Sequence, residues 1–437
     1  MTAPIIAQAS LDSPAEVANL VIVGGGAAGL ATAIFAARSM RDQPSKGAAP
    51  ARIILLDGAR ALGAKILVSG GSRCNVTNAS VDAADFWRSG SPFVKQILRA
   101  FPVPETIAFF EEIGVALKEE PLGKLFPASN KSRTVLEALI AEARRLDVDI
   151  RTSCRVVGLK RDDDGWTVET SAGAIQGERV VLATGGLSLP KTGSDGLGYA
   201  FARGQGHTIV PPAPALEPLL LGGDFHVPLT GIAHEAGIRI VRAGQKTVDL
   251  RGSLLWTHFG ISGPLALNAS RFMRRARAEG AVAEMSVSFA PDLSPENVDR
   301  HLIAATRDRP NYQVTTEVAQ AFGLAHAVAL RIVTRAIGSD VSLSKLTRER
   351  RRALVKALTA LPLDVVDGRG YNFAEVTTGG VSLDEVNPKT MESRLAKGLH
   401  FVGEILDVDG RIGGFNFQWA WATGKVAGRA RHGEGLC

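Results

Sequence analysis

Gly24-Gly25-Gly26-Ala27-Ala28-Gly29 carries the first chemical signal in the chain. An apolar run, Leu20–Val23, precedes it and an alanine-rich run, Leu30–Arg38, follows, which sets the cluster at a strand-to-helix turn. There the spacing Gly24-x-Gly26-x-x-Gly29 acquires a physical meaning. Gly24 permits a tight turn, Gly26 lets backbone approach a pyrophosphate, and Gly29 lets the helix pack on the strand. The helix N-terminus, with Ala27 and Ala28 in its first turn, offers unpaired N–H groups to phosphate oxygens. A second apolar run, Arg52–Leu56, ends at Asp57-Gly58, where a carboxylate can accept the hydroxyls of an unphosphorylated ribose. The polar loop Asp42–Pro50 makes the separation of Gly29 from Asp57 longer than the usual ~20 residues. Strand, glycine turn, helix and strand make one βαβ unit suited to a dinucleotide.

No second GxGxxG stands in such a setting, so three distant clusters decide which dinucleotide. One is Gly63 to Asn78, with Lys65, Ser69, Gly70, Gly71, Arg73, Cys74 and Asn75. Another is Ala183-Thr184-Gly185-Gly186. The third joins Gly403-Glu404 to Gly413-Gly414-Phe415-Asn416-Phe417-Gln418. A dehydrogenase NAD site needs no such return of the chain, whereas FAD extends past the first unit. Glu404 suits ribityl hydroxyls, and the amides of Asn416 and Gln418 suit the polar edge of an isoalloxazine.

The segments VIVGGGAAGL, KILVSGGSRCNVTN, LATGGLSLPKTGSDGLGY, LLWTHFGISGP, AEVTTGGVSLDEVNPKTMES and FVGEILDVDGRIGGFNFQWAWATG bring a resemblance. Over nearly its whole length the chain resembles the BaiN/RdsA-like family of FAD-dependent oxidoreductases, relatives of the aminoacetone-oxidase-like flavoproteins. The resemblance implies an α/β fold: a Rossmann-like FAD-binding domain split in sequence, with an inserted β-barrel-like domain carrying a helical subdomain. It implies non-covalent FAD. Its contacts would run through Lys65, Gly70, Gly71, Arg73, Cys74 and Asn75, with Ser69, Val156, Ala183, Thr184 and Gly185 beside them. Gly403, Glu404, Gly414, Phe415, Asn416 and Gln418 would complete the site. Two residues depart from the family pattern: Ser72 replaces a glycine, and Leu189 stands where an aromatic is usual.

The elements that must position these residues follow from pattern. Pro104–Gly114 and Ser132–Leu146 read as helices, and Ile150–Leu159, Trp166–Thr170 and Arg179–Ala183 as strands. Asp162-Asp163-Asp164 reads as a turn. After Gly206 short strands dominate to about Leu255; Ser294–Leu361 reads as helical; His400–Val402 is a strand and Ala420–Arg431 a closing helix. The expected domains are 1–203 and 373–437 for the dinucleotide, 204–293 for a β-rich insertion, 294–361 for a helical subdomain and 362–372 for the return.

Composition sets the bounds. With 45% hydrophobic and 22% charged residues the chain is globular, not disordered. A net charge of +6 favours an anionic ligand only weakly. Cys74, Cys154 and Cys437 form no CxxC, which fits a reducing cytoplasm and neither a disulfide scaffold nor a zinc ribbon. No cluster has metal-ligand spacing, and GxSxG and the P-loop are absent. Met1–Asn19 lacks a signal-peptide pattern, and apolar Leu20–Ala37 reads as strand, turn and helix, so no membrane association is expected.

A flavin brings its own redox chemistry, which makes a catalytic acid or base optional. His258, in WTHFG, is the one candidate proton donor, against the plainer reading of a hydrogen-bonded structural histidine. Cys74 reads as a packed thiol. Arg348, Arg350, Arg351, Arg352 and Lys356, and separately Arg271, Arg274, Arg275 and Arg277, form basic segments whose default is a solvated face. Aromatics do not interleave with them, which argues against nucleic acid as a partner. The expected activity is hydride transfer between FAD and a small organic substrate, with NAD(P)H as transient donor or oxygen as acceptor. An RNA-directed flavoprotein and a flavin-binding regulator without turnover are the alternatives. Substrate identity and oligomeric state are not encoded in these patterns.

Overall fold

The computed structural model describes residues 16–42, 51–88, 90–163 and 165–430. The N-terminal stretch to residue 15, most of the Asp42–Pro50 loop, Asp164, Arg431 and Cys437 lie outside them. The chain divides into two compact units: unit 1 is Met1–Pro212 with Val376–Cys437, and unit 2 is Ala213–Glu375. Each has its own hydrophobic core.

Unit 1 begins with β1 (Glu16–Val23), α1 (Ala27–Asp42) and β2 (Ile53–Leu56). There follow α2 (Ala64–Ser72), β3 (Thr77–Asn78), α3 (Pro92–Ala100), α4 (Val103–Glu112), β4 (Leu117–Glu120), β5 (Lys124–Pro127) and α5 (Ser132–Arg145). Then come β6 (Asp149–Arg151), β7 (Val156–Arg161), β8 (Trp166–Thr170), β9 (Gly173–Leu182), α6 (Leu197–Gly204) and β10 (Ile209–Ala215). In unit 2 lie β11 (Leu219–Leu221), β12 (Ala233–Arg242), β13 (Val248–Thr257), β14 (Gly260–Ser262), α7 (Gly263–Ala278) and β15 (Ala283–Ser288). Four helices, α8 (Pro295–Asp308), α9 (Val314–Phe322), α10 (His326–Ile337) and α11 (Arg348–Ala360), precede β16 (Leu361–Leu363) and β17 (Val365–Gly368). The return to unit 1 supplies β18 (Val376–Val381), β19 (Leu399–Phe401) and α12 (Phe415–Arg429).

The main sheet of unit 1 runs β6-β2-β1-β9-β8-β7, and β19 pairs with the C-terminal half of β9. From β6 through β2, β1 and β9 to β19 every pairing is parallel. That explains the unbroken apolar runs: helices and loops cover both faces, so alternation is lost. Leu20, Val21, Ile22, Ile54, Leu55 and Leu56 are fully buried.

α12 lies along α1 at very short range. A Cβ on Gly424 would sit 2.8 Å from Ala28 O, and one on Gly428 would sit 2.7 Å from Thr32 O. Small residues on both helices therefore set the approach, and the last described helix becomes part of the first helix's packing. This helix starts at Phe415, five residues before the expected Ala420. Its FNFQWAW start is buried on nearly every side, which removes the amphipathic period that marks a surface helix.

Unit 2 holds a seven-stranded antiparallel sheet, β16-β15-β12-β13-β14-β11-β17. α7 packs on β12 and β13, and α11 packs on β15. Pattern indicates short strands to about Leu255 and assigns no helix between there and Ser294, yet α7 is four turns long. Gly263-Pro264 looks like loop chemistry, but Pro is well placed in a first helical turn. The expected strand Ile150–Leu159 splits into β6 and β7. Ser153, with φ of 52°, turns the chain between them and donates its N–H to Ala59 O at 2.8 Å.

Candidate functional site

Four of the singled-out segments begin where adjacent parallel strands end. β2 runs into Asp57, β1 into Gly24, β9 into Ala183, and β19 into Val402-Gly403. Hydrogen bonds lace these ends together: Gly24 N–H to Leu56 O at 2.8 Å, Ala183 N–H to Val23 O at 2.9 Å, and Val402 N–H to Leu182 O at 3.1 Å. Ligands of open α/β sheets bind outside the carboxyl ends of the strands.

The three glycines of the first turn are required for different reasons. Gly24 has φ of 108°, and a Cβ there would lie 2.5 Å from Ala183 O. A Cβ on Gly29 would overlap the Gly24 carbonyl oxygen. Gly26 differs: a Cβ would meet nothing within 4 Å, and its φ lies outside the left-handed region. Neither packing nor backbone conformation demands glycine at 26. Gly26 directly precedes α1, whose first N–H groups, those of Ala27 and Ala28 among them, have no intrahelical acceptor.

Asp57 braces this turn. Its Oδ2 accepts from Gly25 N–H at 2.8 Å and its Oδ1 from Ala59 N–H at 2.7 Å. Each carboxylate oxygen retains acceptor capacity for a hydroxyl. Gly58 lies beside the Arg155 side chain. Val156, at the start of β7, is a core residue.

α2 brings Lys65 to Glu404 across most of the chain. Lys65 Nζ lies 2.5 Å from Glu404 Oε2 and donates to Ser188 Oγ at 2.7 Å. Glu404 Oε1 also accepts from Ser188 Oγ at 2.9 Å and from Thr377 N–H at 3.0 Å. Thr377 Oγ1 in turn accepts from the N–H groups of Leu187 and Ser188. Pattern pointed to Glu404 as a ribityl partner; the structure sets its carboxylate at the centre of this polar knot. Thr377 and Ser188 were not singled out, although both lie within glycine-flanked segments that were.

The helix breaks at Ser69-Gly70-Gly71, where the two glycines have left-handed φ of 55° and 68°. The turn carries Cys74 and Asn75 inward. Cys74 is fully buried, and burial pushes its thiol up to about 12, against a smaller opposing effect of Ser69. A neutral packed thiol is the result. Asn75 is buried, and its Oδ1 has no hydrogen-bond partner among the described residues. Arg73 points to Glu120, with Nη1 at 2.8 and 3.0 Å from the two carboxylate oxygens, and covers the Phe126 ring.

At the start of α12, Gly414 packs against the Thr77 carbonyl, and Phe415 is fully buried. Asn416 clasps Gly410 with both ends of its amide, at 2.7 and 3.0 Å. Gln418 is spent inside the protein: Oε1 accepts from Thr77 Oγ1 at 2.7 Å, and Nε2 donates to Phe101 O at 2.7 Å and Thr106 Oγ1 at 2.9 Å. The first N–H groups of this helix, like those of α1, have no intrahelical acceptor, and no side chain caps them. Thr184 Oγ1 is turned toward Gly198, and Gly185 lies next to Ser194.

The remaining candidates lie in unit 2. His258 is exposed at the tip between β13 and β14, edge-on to Phe259 at 5.0 Å. The arginines of α7 do not form the solvated face expected of them. Arg271 and Arg275 are buried. Arg274 Nε lies 2.9 Å from Glu217 Oε1, and Arg274 and Arg277 both pair with Asp367. Glu217 is fully buried, and burial holds its carboxyl above the usual range. The second basic segment keeps the expected character on α11, where Arg348, Arg350, Arg352 and Lys356 are exposed; Arg351 pairs with Asp299 at 2.7 Å. Among the described residues no group of His, Cys, Asp and Glu could hold a metal ion, and no helix is long and apolar enough to cross a membrane.

The residues fit a long dinucleotide. Gly26 leaves a cradle that a single Cβ would enter, Asn75 Oδ1 is a buried acceptor without a donor, and two helix N-termini offer N–H groups. Parallel strand ends, a glycine turn and a split α/β unit define a Rossmann-type nucleotide-binding protein. Residues 18–430 match the family described as HI0933-like protein Rossmann domain, and the chain belongs to that family. It is 34% identical over 409 residues to the 3-dehydro-bile acid delta(4,6)-reductase of Clostridium scindens, covering 94% of this chain and 98% of that one. To the ribosomal RNA dihydrouridine synthase of Escherichia coli it is 32% identical over 405 residues, covering 93% and 96%. A 3-ketosteroid-delta4-(5alpha)-dehydrogenase structure from Rhodococcus jostii RHA1 aligns with TM-score 0.45 and 16% identity, over 96% and 97% of the two chains.

Proposed function

We propose that the chain is an oxidoreductase that holds FAD non-covalently in unit 1 and works in a reducing cytoplasm. The observation that carries this reading is Gly26, a glycine that neither the fold nor the backbone needs. Bound FAD would supply hydride chemistry at its flavin ring. The N–H groups of Ala27 and Ala28 would hold the pyrophosphate, helped by the α1 dipole. Asp57 would accept from the ribose. The N-terminus of α12 would donate to the polar edge of the ring and favour negative charge there. Lys65 and Glu404 would fix α2 to the Gly403 turn, holding the Ser69–Asn75 segment in place. A small organic substrate would exchange hydride, with NAD(P)H as transient donor or oxygen as acceptor. The relative named as a bile-acid reductase supports the reductive direction.

The test is the visible spectrum of the purified protein, followed by anaerobic mixing with NADH and NADPH. Flavin bands that bleach with either donor are expected. A folded, colourless protein that refuses added FAD overturns the reading.

The relatives named ribosomal RNA dihydrouridine synthase, with the basic face of α11, favour a second reading in which the substrate is RNA. Lys345, Arg348, Arg350, Arg352 and Lys356 are exposed and pair with no carboxylate among the described residues. Phosphate contacts make affinity fall steeply with salt. RNA retention that decreases steeply from low to physiological salt supports this reading, and no retention at low salt removes it.

A further inference from the structure

One exposed arginine in unit 2 is held as a receptor is held. Arg369 follows β17, and its guanidinium lies 3.6 Å from the ring centre of Phe373 and 4.7 Å from that of Phe259. Unlike Arg274 and Arg277 nearby, it pairs with no carboxylate among the described residues. His258 stands edge-on to the same Phe259, and Phe373 is 48% exposed. An exposed arginine ordinarily keeps its rotamer freedom. This one is restrained by two rings, which leaves its in-plane N–H fork free and already oriented.

The loop beneath is equally fixed. Gly370 N–H donates to the buried Glu217 carboxylate, and Arg369 N–H donates to Pro218 O at 3.2 Å. Phe373 N–H closes the turn onto Gly370 O at 2.9 Å. Arg274 links Glu217 to Asp367 at the other end of the loop. Such support places a donor group within narrow limits, as a binding site requires.

We propose that Arg369, with Phe373 and His258 beside it, is the anchor for a carboxylate carried on a flat, unsaturated carbon skeleton. A guanidinium fork matches a carboxylate in two parallel hydrogen bonds. The exposed Phe373 ring offers an apolar surface to the carbon skeleton next to that group. The flatness follows from the exposed Phe373 face, on which a planar unsaturated group stacks more closely than a saturated one. Arg369 is a binding residue here, and it sets the class of ligand that unit 2 accepts.

The experiment measures binding of trans-cinnamate, cinnamamide and phenyl phosphate to the full-length protein by calorimetry at low salt. Wild type, Arg369→Gln and Arg369→Lys are compared, with and without added FAD. Wild type should prefer cinnamate over cinnamamide by about tenfold, the order expected for a charge-assisted fork. Arg369→Gln should erase that preference, and Arg369→Lys should reduce it while keeping the charge. An acid-to-amide ratio does not depend on the stability of the fold, so a merely structural cation–π contact would leave it unmoved. Equal binding of acid and amide by wild type overturns the proposal, as does a preference that survives Arg369→Gln. Phenyl phosphate bound in preference to cinnamate overturns the carboxylate assignment. Arginine-dependent cinnamate binding in a protein that never takes up FAD upholds the anchor and removes the flavoenzyme reading instead.

Discussion

Replacing Gly26 by alanine separates the needs of the fold from those of a ligand. The added Cβ meets no atom within 4 Å, so no contact is strained. The position needs no left-handed φ. Alanine is a slightly worse helix cap than glycine, but it also lowers the entropy of the unfolded chain; the two effects are each below about 1 kcal/mol and opposed. The net change in stability is therefore within about 1 kcal/mol. A pyrophosphate lying on the α1 N–H groups would, by contrast, meet the methyl directly. Displacing it enough to lengthen two hydrogen bonds costs about 1.5–3 kcal/mol, or roughly tenfold to more than a hundredfold in affinity. Gly29→Ala is the control, because its Cβ overlaps Gly24 O and must disturb both folding and binding. The assay is urea denaturation alongside FAD content after dialysis against a fixed FAD concentration. A Gly26→Ala protein that keeps wild-type FAD affinity would refute the cradle.

Three further outcomes follow from other parts of the structure. Glu404→Ala leaves Lys65 Nζ and Thr377 N–H without their carboxylate; because the pair is partly solvated, the loss is about 2 kcal/mol. Thermal melting should drop by a few degrees without loss of the cooperative transition, and FAD should bind more weakly; an unchanged melt and affinity would count against the knot. Cys74 should resist iodoacetamide at pH 8 in the native protein and react only after unfolding, as peptide mapping can establish, since its thiol titrates at about 12. His207 is held below its ordinary 6.5 by burial, which outweighs the opposing Glu385 carboxylate at 3.0 Å. The unfolded chain takes that proton more readily, so the contribution is complete above 6.5 and is lost as pH falls below it. His207→Gln should reduce the fall in urea midpoint between pH 7.5 and 5.5. Part of that fall should persist, because burial holds His234 down in the same way. An identical fall in variant and wild type would disprove the assignment.

The split α/β fold was legible because its signals are local. A buried parallel strand followed by GxGxxG needs only neighbours in sequence to be recognised, and so does the Asp57 that ends the next strand. α7 was not legible. Its arginines look like a surface stripe until Glu217 and Asp367, distant in sequence, are seen to receive them. Gln418 shows the same limit within the site. An amide in a glycine-rich segment suggested a ligand contact, yet Thr77, Phe101 and Thr106 together satisfy it. Residue type announces a polar group that needs partners, and only the fold decides whether those partners are internal. Arg369 went unnoticed for a related reason: its stacking rings come from two separate segments.

The close seating of α12 on α1 has a consequence for synthesis. Unit 2 is one unbroken stretch and can complete its core while translation continues. Unit 1 cannot, because α1 must wait, with apolar surface uncovered, until Gly424 and Gly428 have left the ribosome. An early segment of the nascent polypeptide thus matures only after a late one has emerged, and chaperone demand should persist until α12 is synthesised.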